Sequence, residues 1–301
     1  MSHQNASVKS IIFALSANFG IAITKTVAAI ITGSGAMLAE SIHSFADCGN
    51  QILLFVGLRA SKVKPDEEHP LGHGKAIFFW SFMVALILFS MGGLFSIYEG
   101  VHKLGSHEGL KSPVIAIVVL VISMFLEGAS LFGCISQIKK IKSDKSLLKW
   151  LSESNQSELV VVFGEDIAAL LGLSFALISV LLAVITGNPV FDAIGSICIG
   201  ALLIIVSIFL IIKIKGLLIG RSADKETCDE ILKFLESQPE IESVLNMITL
   251  QLGSRIMVSV KVKMKNLNTA DQLIKDINKC ETALRKQIPA IQWIFFEPDN
   301  E

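Results

Sequence analysis

The chain has 301 residues, 52% of them hydrophobic and only 18% charged, and its mean hydropathy is +0.62. Such a balance is too apolar for a soluble protein of this length and points to an integral membrane protein. A net charge of −1 argues against a nucleic-acid partner, which would call for a basic surface.

Apolar runs long enough to cross a bilayer, about 20 residues each, lie near residues 11–31, 36–58, 76–98, 113–138, 159–185 and 190–212. Six spans put both termini on one side. Arg59, Lys62, Lys64, Lys75, Lys139, Lys140, Lys142, Lys145, Lys149, Lys213, Lys215 and Arg221 fall on that side, against Lys103 and Lys111 on the other. By the positive-inside rule both termini are cytoplasmic. Nothing at the N-terminus reads as a cleavable signal, because the first apolar run continues into a Gly33-Ser34-Gly35 turn. Five scattered cysteines without CxxC spacing give neither a disulfide framework nor a zinc knuckle and read as packing thiols.

The first span carries Asn18 and Lys25. A lysine at that depth must snorkel or meet a carboxylate, so Lys25 is expected to be a structural ion-pair partner. Gly20 to Thr26 resembles a P-loop superficially, but its second glycine is missing and it lies inside a span, which argues against a nucleotide site and an ATP-driven pump.

The second span is interrupted by Glu40-Ser41-Ile42-His43-Ser44-Phe45-Ala46-Asp47. Helical spacing puts Glu40, His43 and Asp47 on one side, with Ser44 and Gln51 nearby. An ionisable group at bilayer depth costs about 2.5–3.5 kcal/mol on insertion scales, so three on one helix call for a partner or a cavity. Interhelical hydrogen bonding would also use polar residues, but Ser or Asn supplies it more cheaply. An imidazole and a carboxylate four residues apart can hold two corners of a metal site.

Pro65 to Lys75 forms a loop in which Asp66, His69 and His73 are oxygen and imidazole donors restrained by proline and glycine; a solvated acidic loop is the alternative. The third and fourth spans are mostly apolar, with Tyr98 and Glu99 at one interface and Glu127 as the single intramembrane carboxylate. Ser143 to Ser157 reads as a connector, with Trp150 near the interface. The fifth span carries Glu165 and Asp166; adjacent residues diverge by about 100° on a helix, so they cannot approach one ligand along the same radius, and one of them should face the polar stripe of the second span. In the sixth span Gly195, Ser196 and Gly200 offer close packing. Asp192 sits near its N-terminus, where an anion is favoured for structural reasons.

From Gly216 the composition becomes that of a soluble domain. Cys228, Ile231, Leu232 and Leu235 mark an amphipathic helix. Ile248, Leu250 and Leu252 alternate, as do Ile256, Val258, Val260 and Val262, with a Gly253-Ser254 turn between them. A helix after Asn268-Thr269, with Ala270, Leu273, Ile274, Ile277 and Leu284 on one face, and a strand with Ile291, Trp293 and Phe295 complete an αββαβ order. The expected architecture is a multi-pass α-helical membrane domain of six helices, 1–215, and then a cytoplasmic α+β, ferredoxin-like domain, 216–301.

His43-xxx-Asp47, Asp166, His69-Pro-Leu-Gly-His73-Gly-Lys75, six spans and the αββαβ tail together resemble the cation diffusion facilitator family of divalent-metal/proton antiporters over nearly the whole chain. Ala36 to Asp47, Glu165-Asp166-Ile-Ala-Ala and Gly187-Asn-Pro-Val-Phe-Asp192 look like the branch containing the animal mitochondrial zinc exporter and many bacterial relatives. The resemblance implies a transport site with two ligands from the second helix and two from the fifth. His43, Asp47 and Asp166 match three positions, while the fourth falls on Val162, leaving Glu165, Glu40, Asn18 or water as the remaining donor. It also implies that Asp66, His69 and His73 form a peripheral metal site. The family's histidine-rich cytoplasmic cluster has no counterpart after His107.

The same resemblance implies a homodimeric antiporter rather than an enzyme, in the plasma or bacterial inner membrane, with a divalent cation and protons as substrates and no other cofactor. Zn²⁺ leads as cargo, with Mn²⁺ or Fe²⁺ admitted by the carboxylate-rich ligand set. A membrane metal sensor or scaffold that binds without transporting is the rival from another class. An intramembrane hydrolase is disfavoured because no HExxH or GxSxG motif occurs.

Overall fold

The computed structural model describes residues 2–105, 109–141, 146–265 and 269–300. Lys142, Ser143, Lys145 and Asn268 lie outside these residues. The chain divides into two compact units: Met1–Val56, Trp80–Leu147 and Glu158–Lys213 form one, while Gly57–Phe79, Leu148–Ser157 and Ile214–Glu301 form the other.

The long helices are α1 (Ser2–Thr32), α2 (Gly35–Ala60), α3 (Ala76–Ile87) continued through a π-helical segment Leu88–Leu94 into α4 (Phe95–Leu104), α5 (Pro113–Ile141), α7 (Ser157–Thr186) and α8 (Val190–Ile219); a short α6 (Leu147–Glu153) precedes α7. Four helical stretches among the described residues are long and apolar enough to cross a membrane: Ala76–Leu104, Pro113–Lys140, Ser157–Thr186 and Val190–Ile219. The other two expected spans correspond to α1, whose described apolar stretch is the shorter Asn18–Thr32, and α2, 26 residues long. At 1.5 Å per residue α2 reaches about 39 Å, so it has the length of a span, and its polar insertion is what keeps it outside the apolar set.

Gly33, at φ 68°, ends α1 in the left-handed conformation that side chains disfavour. Ser34 then caps α2, its Oγ accepting from the Met37 amide at 3.1 Å. Small residues bring α3–α4 and α8 into close approach: a Cβ on Gly93 would strike Ile204, and one on Gly200 would strike the Gly93 carbonyl. Gly200 thus serves as the packing position expected of it, while Gly195 meets Ser179 of α7.

In the second unit α9 (Lys225–Glu236) is capped by Asp224, which accepts from the Thr227 amide at 3.0 Å. The strands β1 (Ile241–Leu252) and β2 (Arg255–Met264) form an antiparallel hairpin, and β3 (Ile291–Pro298) pairs parallel to β2 after α10 (Ala270–Gln287). The sheet order β1-β2-β3 and the αββαβ sequence of elements match the expected α+β tail. Its core joins Ile231 and Leu235 of α9, Ile256, Val258, Val260 and Val262 of β2, Cys280 and Leu284 of α10, and Ile291 and Ile294 of β3. Alternation along β3 does not continue as the sequence suggests: Ile294 faces the core and Phe295 is exposed, with a register shift between Ile256 and Met257 in the pairing.

Candidate metal centre

Helix α2 presents its stripe as expected, but its members have different partners. The Lys25 ammonium donates to Glu40 Oε2 at 3.2 Å and to Ser44 Oγ at 2.8 Å. Lys25 and Glu40 are fully buried, so Lys25 is the ion-pair partner anticipated and Glu40 is engaged. Glu40 Oε1 occupies the room left by Gly172, where a Cβ would collide with it. His43 is buried with neither ring nitrogen hydrogen-bonded, and its Nε2 stands 3.6 Å from Asp47 Oδ2.

A cavity of about 70 Å³ lies between α1, α2, α5 and α7, lined by Asn18, Ile21, Ser44, Asp47, Gln51, Glu127, Ser130, Val162, Glu165, Asp166 and Ala169. A water needs about 10–15 Å³ on this measure, so the space accommodates a cation with a few waters. Glu165 and Asp166 both reach it despite their angular separation, because they lean to opposite sides. Glu165 Oε1 accepts from Asn50 Nδ2 of α2 at 2.5 Å, and Asp166 Oδ1 accepts from Ser130 Oγ of α5 at 3.2 Å. Asp166 Oδ2 and Asp47 Oδ1 are buried and accept no hydrogen bond.

Of the sequence candidates, Asp47, Glu165, Asp166 and Asn18 line the cavity, and Val162 lines it without offering a donor. Glu40 and His43 are not among its lining residues. Among the described residues no three of the candidate carboxylates and imidazole here, Glu40, His43, Asp47, Glu165 and Asp166, bring ligand atoms within 4.8 Å of one another. Sequence reasoning missed Asn50, Glu127 and Ser130 as parts of this site. For the last two the signal was present: a carboxylate and a hydroxyl three residues apart share a helix face, in a span otherwise almost without polar groups.

The second cluster lies on the loop between α2 and α3. Asp66, His69 and His73 each offer a ligand atom, all within 4.8 Å of one another. Asp66 Oδ1 accepts from the His69 amide at 2.6 Å. Its carboxylate stands 3.4 Å from His69 Nδ1 and 3.5 Å from His73 Nε2. The His69 amide, with smaller help from the two imidazoles, holds the Asp66 carboxyl below the usual carboxylate range. Tetrahedral ligands at zinc lie about 3.4 Å apart, so small side-chain movements bring the three donors to one ion. Gly72, at φ 82°, closes the turn, its amide bonded to the His69 carbonyl at 2.8 Å. The loop is seated on the β1–β2 turn: Gly74 and Gly253 approach backbone to backbone, so a Cβ on either would strike the main chain opposite, and Trp293 Nε1 donates to the Leu71 carbonyl at 3.4 Å.

The cation efflux transmembrane domain matches residues 11–219. The chain belongs to the cation diffusion facilitator family. Metal tolerance protein C4 of Arabidopsis thaliana is 35% identical over 240 residues, covering 79% of this chain and 52% of that protein. The mitochondrial proton-coupled zinc antiporter SLC30A9 of Homo sapiens is 35% identical over 231 residues, 76% of this chain and 41% of its own length. Magnetosome protein MamB of Magnetospira sp. (strain QH-2) is 22% identical over 91% of this chain and 87% of that protein. The chain therefore spans about half the length of the 35%-identical relatives. A solved MamM C-terminal domain is 16% identical with a TM-score of 0.24, over 26% of this chain and 98% of that one. Both clusters lie within the segment that the cation efflux domain matches.

Proposed function

We propose that this chain is a divalent-metal transporter that exchanges its cargo for protons and exports it from the cytoplasm, with Zn²⁺ as the leading cargo. The observation that carries this reading is the cavity in which Asp47 of α2 meets Glu165 and Asp166 of α7. A buried carboxylate oxygen without a donor, such as Asp166 Oδ2, is expensive unless a cation or proton visits it. Carboxylate and imidazole bind metal only when deprotonated, so metal and protons compete for the same atoms and their movements become coupled. His43, 3.6 Å from Asp47, joins the set by a small side-chain movement. Likeness to the proton-coupled zinc antiporter favours Zn²⁺. The oxygen-rich donor set supports a second reading, Mn²⁺ or Fe²⁺ as cargo by the same mechanism.

In this proposal residues 1–215 form the six-helix transport domain and 216–301 a cytoplasmic tail; the protein is a homodimer in the plasma or bacterial inner membrane with both termini cytoplasmic. Asp66, His69 and His73 form an auxiliary metal site on the cytoplasmic side. The deciding experiment is flux of Zn²⁺, Mn²⁺, Fe²⁺ and Co²⁺ in proteoliposomes with and without a pH gradient, comparing wild type with Asp47→Asn and Asp166→Asn. Gradient-dependent flux lost in both variants supports the assignment. Metal binding without flux in the wild type would instead identify a sensor or scaffold.

A further inference from the structure

We propose that Glu127 of α5 is a further ligand of the transport cavity, supplying the donor that Val162 does not. This rests on the transport reading above. Val162 lies four residues before Asp166 and lines the same cavity, so the helix face that would carry a fourth donor carries an isopropyl group instead. Across the cavity stands Glu127. One turn along α5 Ser130 bonds to Asp166, so the face of α5 that bears Glu127 is the face directed at Asp166.

Glu127 has no structural partner that would account for it. Among the described residues it makes no hydrogen bond and no salt bridge, and the buried cation of this unit, Lys25, is engaged with Glu40 and Ser44 and does not line the cavity. A carboxylate within a span costs about 2.5–3.5 kcal/mol, and here it faces Asp47, Glu165 and Asp166 across about 70 Å³. Four like charges in that volume repel one another. Independently, Asp166 lines the cavity and is only 8% exposed, and its buried Oδ2 has no hydrogen-bond partner, a deficit that a cation would make good. A divalent ion offsets two of the four charges, and protons answer the rest. The ligand class is a divalent cation with appetite for oxygen donors, which makes Glu127 a determinant of selectivity between Mn²⁺ or Fe²⁺ and Zn²⁺.

The test uses the full chain in detergent on a His69→Ala, His73→Ala background, so that the loop cluster does not contribute, with Co²⁺, Mn²⁺ and Zn²⁺ chloride as probes. Glu127→Gln keeps size and removes charge. It is expected to weaken Co²⁺ and Mn²⁺ binding by roughly tenfold or more and to change the visible d–d absorption of bound Co²⁺. Adding Val162→His to Glu127→Gln is expected to restore Zn²⁺ affinity but not Mn²⁺ affinity. If Glu127→Gln fails to fold, Glu127→Asp takes its place and must shift the Co²⁺ spectrum. An unchanged affinity and spectrum, while Asp166→Asn loses binding, removes Glu127 from the site and leaves the transport reading standing. Asp166→Asn that binds like the parent overturns both.

Discussion

The Lys25 ammonium stands 3.2 Å from Glu40 Oε2, with both side chains fully buried, which ties α1 to α2 about two turns away from the cavity-lining Asp47. Breaking a buried pair by removing one partner costs about 3–5 kcal/mol because the other charge is left without compensation, whereas replacing both by apolar groups is often neutral. Lys25→Met is therefore expected to lower the melting temperature in detergent markedly. Lys25→Met combined with Glu40→Leu should recover most of the loss. A single variant as stable as wild type would mean that water already reaches Glu40.

A second stabilising relationship involves Asp192, at the start of α8. Its Oδ1 accepts from Ser34 Oγ at 2.5 Å and its Oδ2 from the Gly35 amide at 2.6 Å, while Lys103 Nζ lies 3.3 Å from Oδ2. Asp192 thus serves the free amides of α2 as well as its own helix. Asp192→Ala should destabilise the fold by about 1–2 kcal/mol, the range of a lost N-cap. Asp192→Asn, which keeps acceptor oxygen without charge, should lose less. Thermal unfolding monitored by circular dichroism distinguishes the three proteins.

Much of this was legible in the residues themselves. The periodicity of β2 marked its buried face without error, since Ile256, Val258, Val260 and Val262 are all in the core. Lys25 could be assigned a carboxylate partner because an unpaired ammonium in a span is too costly. What was not legible depends on contacts between distant segments. Ile248 alternates with Leu250 and Leu252, yet it is 57% exposed and Thr249 is buried; Thr249 Oγ1 accepts from the Ala223 amide at 3.1 Å, and a local pattern cannot foresee that partner. Glu40 and Asp47 looked equivalent on a helix wheel, and only the placement of Lys25 separates a paired carboxylate from a cavity-lining one. Glu127 stands alone in its span because its neighbours come from α2 and α7.

The loop cluster yields a prediction with a defined sign in pH. The Asp66 carboxyl is held below the usual range chiefly by the His69 amide. A depressed folded-state value means that the order it lends the loop is complete above the unfolded value, about 3.9, and fades as pH falls through the folded value. The side-chain carboxyl resonance of Asp66 should accordingly titrate below that range, and one that titrates at or above it would contradict the hydrogen bond. His69→Ala with His73→Ala is expected to lower the rate or affinity of transport without abolishing it. Complete loss of flux in a folded protein would move these residues into the central pathway.

The hydrogen bond from Asn50 Nδ2 to Glu165 Oε1, 2.5 Å, ties a cavity-lining carboxylate of α7 to α2. Asn50 is fully buried and its Oδ1 has no partner, so its amide is there to donate. Asn50→Ala leaves Glu165 Oε1 without that donor, at a cost of about 1–3 kcal/mol, and frees the Glu165 stem to turn. Metal affinity should then fall by about 10- to 100-fold, as for lost supports behind a ligand, in a protein that still elutes as folded. If Asn50 acts through Glu165, the two substitutions cannot add: Asn50→Ala with Glu165→Gln should bind metal no more weakly than Glu165→Gln alone. Additive losses would give Asn50 a separate contact with the ion. Full affinity in Glu165→Gln would show that Glu165 is not a ligand at all, and that Asp47, Asp166 and the rest of the cavity hold the metal without it.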